Sequence, residues 1–174
     1  SFLLLLLLLC GRHLSRRPDD SGRCPFAVDA ASSSSLTRGS SLSLSLNQTI
    51  ESPGQLFTFG FFSLPQGSSS FYLGIFYNPA RVKTSDPVWI ANRDAPLSRA
   101  AICNFTKQGN VTLRDGEGGE IIWQIGQGDA LQLLNSGNLL LVNSSSPPAD
   151  YIAWQSFKHP GNTWMSSMSI GPGE

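Results

Sequence analysis

Charge is scarce in this sequence. Asp, Glu, Lys and Arg make up 14% of its 174 residues, where soluble domains commonly carry roughly 25%. The twelve basic and twelve acidic side chains cancel. From Ser40 onward seven Lys/Arg face nine Asp/Glu, so no basic field exists to hold nucleic acid. Histidine is nearly missing. His13 and His159 are the whole supply, and no ligand spacing suits a metal ion. Serines without a positioned base are surface polar groups, not nucleophiles. The cluster Gly116-Glu117-Gly118-Gly119 is no phosphate loop, since no Lys follows it and no helix is expected there. Arg93 and Asp94 read as pins for the turn that contains them, with a functional pair as the alternative. Neither a catalytic site, nor a cofactor, nor a metal is expected.

Long apolar runs are missing as well. Phe2–Cys10 holds seven consecutive leucines, far short of the roughly 20 residues a membrane helix needs. Residues 1–10 fit the h-region of a secretory signal, entered part-way through. The expected location is secreted or extracellular, or the outer face of the plasma membrane within a larger receptor. Residues 11–39 are rich in Arg, Asp, Pro and Ser, with four serines at Ser32–Ser35. Too few apolar groups are present to offset the entropy of ordering them, so a disordered linker is expected. Cysteine is thin: with Cys10 in the signal, Cys24 and Cys103 remain. They could pair if Cys24 survives processing, or Cys103 could be a buried, unpaired small hydrophobe.

Turn-formers and short apolar strands are abundant instead. Gly 17 and Pro 11 punctuate the chain, and no amphipathic 3.6-residue pattern appears, so the class is all-β. The stretch Val88–Ser98 reads as a buried strand centred on Trp89, closed by the turn Asn92–Pro96. Fainter copies at Ile121–Gln124 and Ile152–Phe157 place Trp123 and Trp154 at intervals of 34 and 31 residues. Such a period marks an internal repeat. Each copy has a strand upstream, at Phe71–Tyr77, Gly109–Asp115 and Ser136–Asn143. Earlier, Leu42, Leu44 and Leu46 alternate with polar residues as a half-buried strand, and Leu56–Phe62 forms another, broken by Gly60. Turns are expected at Ser52–Gly54, Asp115–Gly119 and Ser144–Ala149. Residues 40–171 thus read as one domain of threefold repeat, with Trp89, Trp123 and Trp154 sharing the core and 172–174 a tail.

VWIANRDAPL, SGNLLLV and WQSFKHPGNTWM, preceded in order by LFTFGFF and YLGIFY, resemble the bulb-type (monocot mannose-binding) lectin domain. The nearest likeness is to the form at the extracellular end of plant S-locus or G-type lectin receptor-like kinases, over about Leu36–Gly171. The resemblance implies a type II β-prism, with three pseudo-symmetric four-stranded sheets around a tryptophan core. It implies a mannose-type glycan as ligand. The alternatives are a protein ligand where sugar binding is lost, and a truncated gene product. A homodimer is a further arrangement, and no membrane span or nucleic acid enters.

The family holds mannose with Gln-x-Asp-x-Asn-x-Val-x-Tyr, whose five side chains share one strand face at period 2. In this sequence the second repeat offers Thr106, Gln108, Asn110, Thr112 and Arg114. The third offers Leu134, Ser136, Asn138, Leu140 and Val142, and the first Ser68, Ser70, Tyr72, Gly74 and Phe76. Only Asn110 and Asn138 match a polar position, so Thr106, Gln108, Asn110 and Asn138 are the carbohydrate-binding candidates. Leu134, Leu140 and Val142 are the alternative, an apolar docking face. The family's loop-closing disulfide has one half at Cys103, and its partner position falls at Phe71. Losing the motif's Asp removes roughly 1.5–3 kcal/mol. A site of about 1 mM would weaken to roughly 10–150 mM. Asn-x-Ser/Thr glycosylation sequons occur at Asn47, Asn104, Asn110 and Asn143, and a glycan on Asn110 would fill the groove offered to sugar.

Overall fold

The computed structural model describes residues 33–84, 86–144, 151–161, 163, 165, 166 and 168. The leucine run, Cys24 with most of the 11–39 stretch, most of the Ser144–Ala149 turn and the 172–174 tail lie outside the described residues. Three very short strands come first: β1 (Ser35–Thr37), β2 (Ser41–Ser43) and β3 (Thr49–Glu51). Three antiparallel triplets follow. They are β4 (Phe57–Ser63), β5 (Phe71–Tyr77) and β6 (Pro87–Ile90); β7 (Ile102–Phe105), β8 (Asn110–Arg114) and β9 (Ile121–Gln127); and β10 (Ala130–Leu133), β11 (Leu139–Asn143) and β12 (Tyr151–Gln155). Among the described residues one 3-10 turn occurs, at Ser156–Lys158.

Each triplet needs a fourth strand, and the N-terminal ribbon supplies all three. β3 joins the first sheet beside β4, β2 joins the second beside β7, and β1 joins the third beside β10. The middle residue of each ribbon strand is the anchored one: Leu36, Leu42 and Ile50 are all buried in the common core. The ribbon therefore stitches the three sheets together in reverse order. Arg38 reinforces it, pairing with Asp129 at 2.6 Å and donating to the Gly128 carbonyl at 2.8 Å.

Two sequence expectations need correction here. Ser35–Thr37 belongs to a sheet rather than to a linker, and Ser33 bridges to Ile50. Three residues carry too little pattern to show a period of two, and Leu36 is stabilised by partners distant in sequence. The Leu42–Leu46 alternation also fails part-way. β2 ends at Ser43, the chain turns at once towards the first sheet, and Leu46 is left 69% exposed.

The three-sheet, nearly all-β architecture itself agrees with expectation. Alternation along the strands sends Phe57, Phe59, Leu73, Ile75, Val111, Leu113, Leu139 and Leu141 inward. The last strand of each sheet carries its tryptophan to the axis. Trp89, Trp123 and Trp154 meet with ring centroids 5.5–5.8 Å apart, at 64–75°. Edge-to-face contact of this kind suits the aromatic quadrupole. The Asn92 turn closes as expected: its side-chain Oδ1 accepts from Leu73 N–H at 2.8 Å, and Nδ2 donates to the Ala95 carbonyl at 2.7 Å.

Candidate functional site

The second sheet presents its sequence-derived candidates from two different elements. Asn110, Thr112 and Arg114 lie on β8, but Thr106 and Gln108 sit in the β7–β8 hairpin turn. Gly109 makes that turn at φ +95°. The Thr106 hydroxyl accepts from Asn110 N–H at 3.0 Å, so it braces the hairpin from within. Gln108 is exposed, Thr112 is buried, and the Arg114 guanidinium donates to the Gly119 carbonyl. The five positions thus do not line one strand face as the motif's spacing implies.

In the third sheet Asn138 is no free sugar ligand. Its side chain is 8% exposed and bonded on both sides. Nδ2 donates to Gln155 Oε1 at 2.9 Å. Oδ1 accepts from the Ser156 hydroxyl at 3.1 Å and from Phe157 N–H at 3.2 Å. The apolar docking face is corrected too. Leu140 and Val142 are buried, at 9% and 7% exposure, and only Leu134, in the preceding turn, stays open.

The first sheet carries what sequence reasoning missed. Its outer face bears a groove of about 760 Å³ between the sheet and the Asn78–Thr84 loop. Alternation turns Thr49 and Glu51 of β3, Thr58, Gly60 and Phe62 of β4, and Tyr72, Gly74 and Phe76 of β5 outward. Gly60 and Gly74 face each other across the ladder. Neither position has room for a side chain: a Cβ on Gly74 would stand 2.1 Å from the Trp89 carbonyl oxygen, and one on Gly60 2.6 Å from Thr49 Cγ2. The Phe62 ring packs over Gly74, 5.4 Å from the Phe76 ring and 6.2 Å from that of Tyr72.

Polar groups complete the groove. Thr58 is 5% exposed, yet its hydroxyl has no protein partner among the described residues. No fully buried side-chain polar atom among the described residues lacks a partner, so this hydroxyl is open to the groove. The half-buried Glu51 carboxylate has no ion pair or hydrogen bond among the described residues. Asn47, Gln66 and Lys83 stand around the same space. A signal for this site existed in the glycines within two aromatic strands, since glycine inside a strand marks close approach.

A second cavity, of about 400 Å³, opens where the three tryptophans meet, with Arg93, Asp94 and His159 at its lining. Trp89 Nε1 donates to the His159 carbonyl at 2.9 Å, and the His159 ring stacks on Trp154 at 5.5 Å. Cys103 is a free, fully buried thiol whose desolvation pushes its pKa up to about 12. It packs as a hydrophobe. Among the described residues no cluster of His, Cys, Asp and Glu could hold a metal ion, and no helix is long and apolar enough to cross a membrane.

Three four-stranded sheets closed around three indoles, with a polar, aromatic-floored groove outside, define a β-prism of lectin type. The family model described as D-mannose binding lectin matches residues 86–173, half of the sequence. The chain belongs to that family, the bulb-type lectins. It is 35% identical over 133 residues to a G-type lectin S-receptor-like serine/threonine-protein kinase of Arabidopsis thaliana, covering 72% of this chain and 15% of the kinase. It is 36% identical over 156 residues to the S-locus-specific glycoprotein S6 of Brassica oleracea, covering 85% of this chain and 34% of the glycoprotein. The chain therefore spans about a third or less of these relatives. Among solved structures, a Japanese Marasmius oreades lectin shares the fold with TM-score 0.51 and 15% identity, over 71% of this chain and 90% of that one.

Proposed function

We propose that this chain is an extracellular glycan-recognition domain, part of a lectin receptor-like kinase or a secreted relative, whose working site is the first-sheet groove. One observation carries this reading: Glu51 and Thr58 offer unpartnered polar atoms beside the Phe62–Phe76 pair. A carboxylate accepts from neighbouring sugar hydroxyls, and an aromatic face packs on the ring carbons. An extended peptide is served poorly, because the main-chain groups of a central sheet face are already spent in the ladder. The ligand class is a neutral, mannose-type saccharide of one to three units, which a groove of this volume accommodates. The Thr106–Asn110 hairpin is the second reading, favoured by the half-exposed Asn110 amide.

A glycan array followed by titration calorimetry tests both. Glu51→Gln removes the charge but keeps an acceptor oxygen, so about 1–1.5 kcal/mol is lost and affinity should fall about five- to tenfold. Phe62→Ala should weaken the same ligands. Binding that survives both changes and disappears with Asn110→Ala would move the site to the second sheet.

A further inference from the structure

Of the four sequons, Asn47-Gln48-Thr49 stands apart. Asn104, Asn110 and Asn143 are half-buried within strands, whereas Asn47 is exposed in the turn before β3. That turn is held firmly. Asn47 N–H donates to the Leu44 carbonyl at 3.0 Å, and Gln48 Oε1 accepts from Ser43 N–H at 3.0 Å. Asn47 sits at φ +51°, a conformation asparagine tolerates better than most residues. Its side-chain amide has no protein partner among the described residues, and it forms part of the wall of the first-sheet groove. The β3–β4 register sets Thr49 opposite Gly60, so the chain just before Thr49 runs beside Phe62.

We infer that Asn47 carries an N-linked glycan whose first sugars lie in this groove, so that the domain holds a saccharide of its own. The inference rests on the proposed reading of the groove as a saccharide site. The donor is a polyprenyl diphosphate-linked oligosaccharide. Asn47 Nδ2 bonds to C1 of the first N-acetylglucosamine and gives up one proton. The C1–O bond breaks, and the diphosphate leaves with its electron pair. The attached sugar then meets Phe62 with its axial C–H face and Thr58 and Glu51 with its hydroxyls. Tethering makes this favourable even where the site is weak. A short tether gives an effective concentration of roughly 2–9 mM, several times a single-sugar Kd of about 1 mM. A free glycan must compete with the tethered one, so its apparent affinity drops about three- to tenfold.

The test compares the 174-residue chain secreted from a glycosylating eukaryotic host with the same chain made in bacteria. Glycopeptide mass spectrometry should show Asn47 modified. NMR of the glycosylated protein should show nuclear Overhauser contacts between N-acetyl methyl protons and the Phe62 or Phe76 ring. Asn47→Gln from the eukaryotic host should bind free mannose-type glycans about three- to tenfold tighter than its parent. The bacterial parent, which keeps Asn47 and carries no glycan, should show the same gain over the glycosylated protein, and its circular dichroism reports on folding. An unmodified Asn47, or a modified one with no ring contacts, overturns the inference. Ring contacts in a protein that binds no free glycan would keep the inference and instead remove the reading of the groove as a site for external ligands.

Discussion

Asn138 and Ser156 show what single polar residues do in this fold. Leu139 N–H donates to the Ser156 hydroxyl oxygen at 3.0 Å, just as Leu73 N–H donates to Asn92 Oδ1 at 2.8 Å. In each case a side chain just past the tryptophan continues the ladder where the backbone has turned away. Asn138 secures the third-sheet version by accepting from Ser156 and Phe157. Asn138→Ala would strand a fully buried hydroxyl and a main-chain N–H. Leaving a buried group unpaired costs about 1–3 kcal/mol, so the variant should lose about 2–4 kcal/mol in urea denaturation. Asn110→Ala, with a half-exposed amide, should stay within about 0.5 kcal/mol. Equal effects would mean that Asn138 is not the clamp described. The sequence motif marked the two asparagines alike, because it reports spacing and not what lies across the sheet.

Among the elements, strands of five to seven residues were legible and those of three were not. FTFGFFS, FYLGIFY and IIWQIGQ show alternation or aromatic density on their own. The ribbon strands SLT, SLS and TIE show one apolar residue each, and their partners lie 50 to 100 residues away in β7 and β10 or just beyond a turn in β4. No local pattern predicts that. The groove was half legible. Its aromatic strands were recognised, but Glu51 and Thr58 reach it through strand pairing alone, and the mannose motif directed attention to the other two sheets. Leu36 tests the ribbon directly. It is 6% exposed within a stretch whose composition reads as linker. Leu36→Ala should cost about 2–5 kcal/mol, as for any buried leucine, measured as a shift in the urea midpoint at unchanged slope. A change of a few tenths would return residues 35–37 to the linker.

At the scale of the molecule, the arrangement of tryptophans and ribbon makes independent sheets improbable on energetic grounds. Each triplet buries one face only against the other two, and its fourth strand comes from a segment that the other sheets also hold. Opening the first sheet removes β3, and the pull passes through five residues to β2 and through three more to β1. The indoles report on the centre, since each touches both others. Far-ultraviolet circular dichroism reports on all three sheets together. Unfolding should therefore be a single transition in which fluorescence and circular dichroism coincide. Ile50→Ala, a lesion confined to the first sheet, should lower both midpoints by the same amount. If the fluorescence change separated from the circular dichroism change in that variant, the tryptophan centre and the sheets would be distinct folding units. The ribbon would then be an accessory to the fold and not its closure.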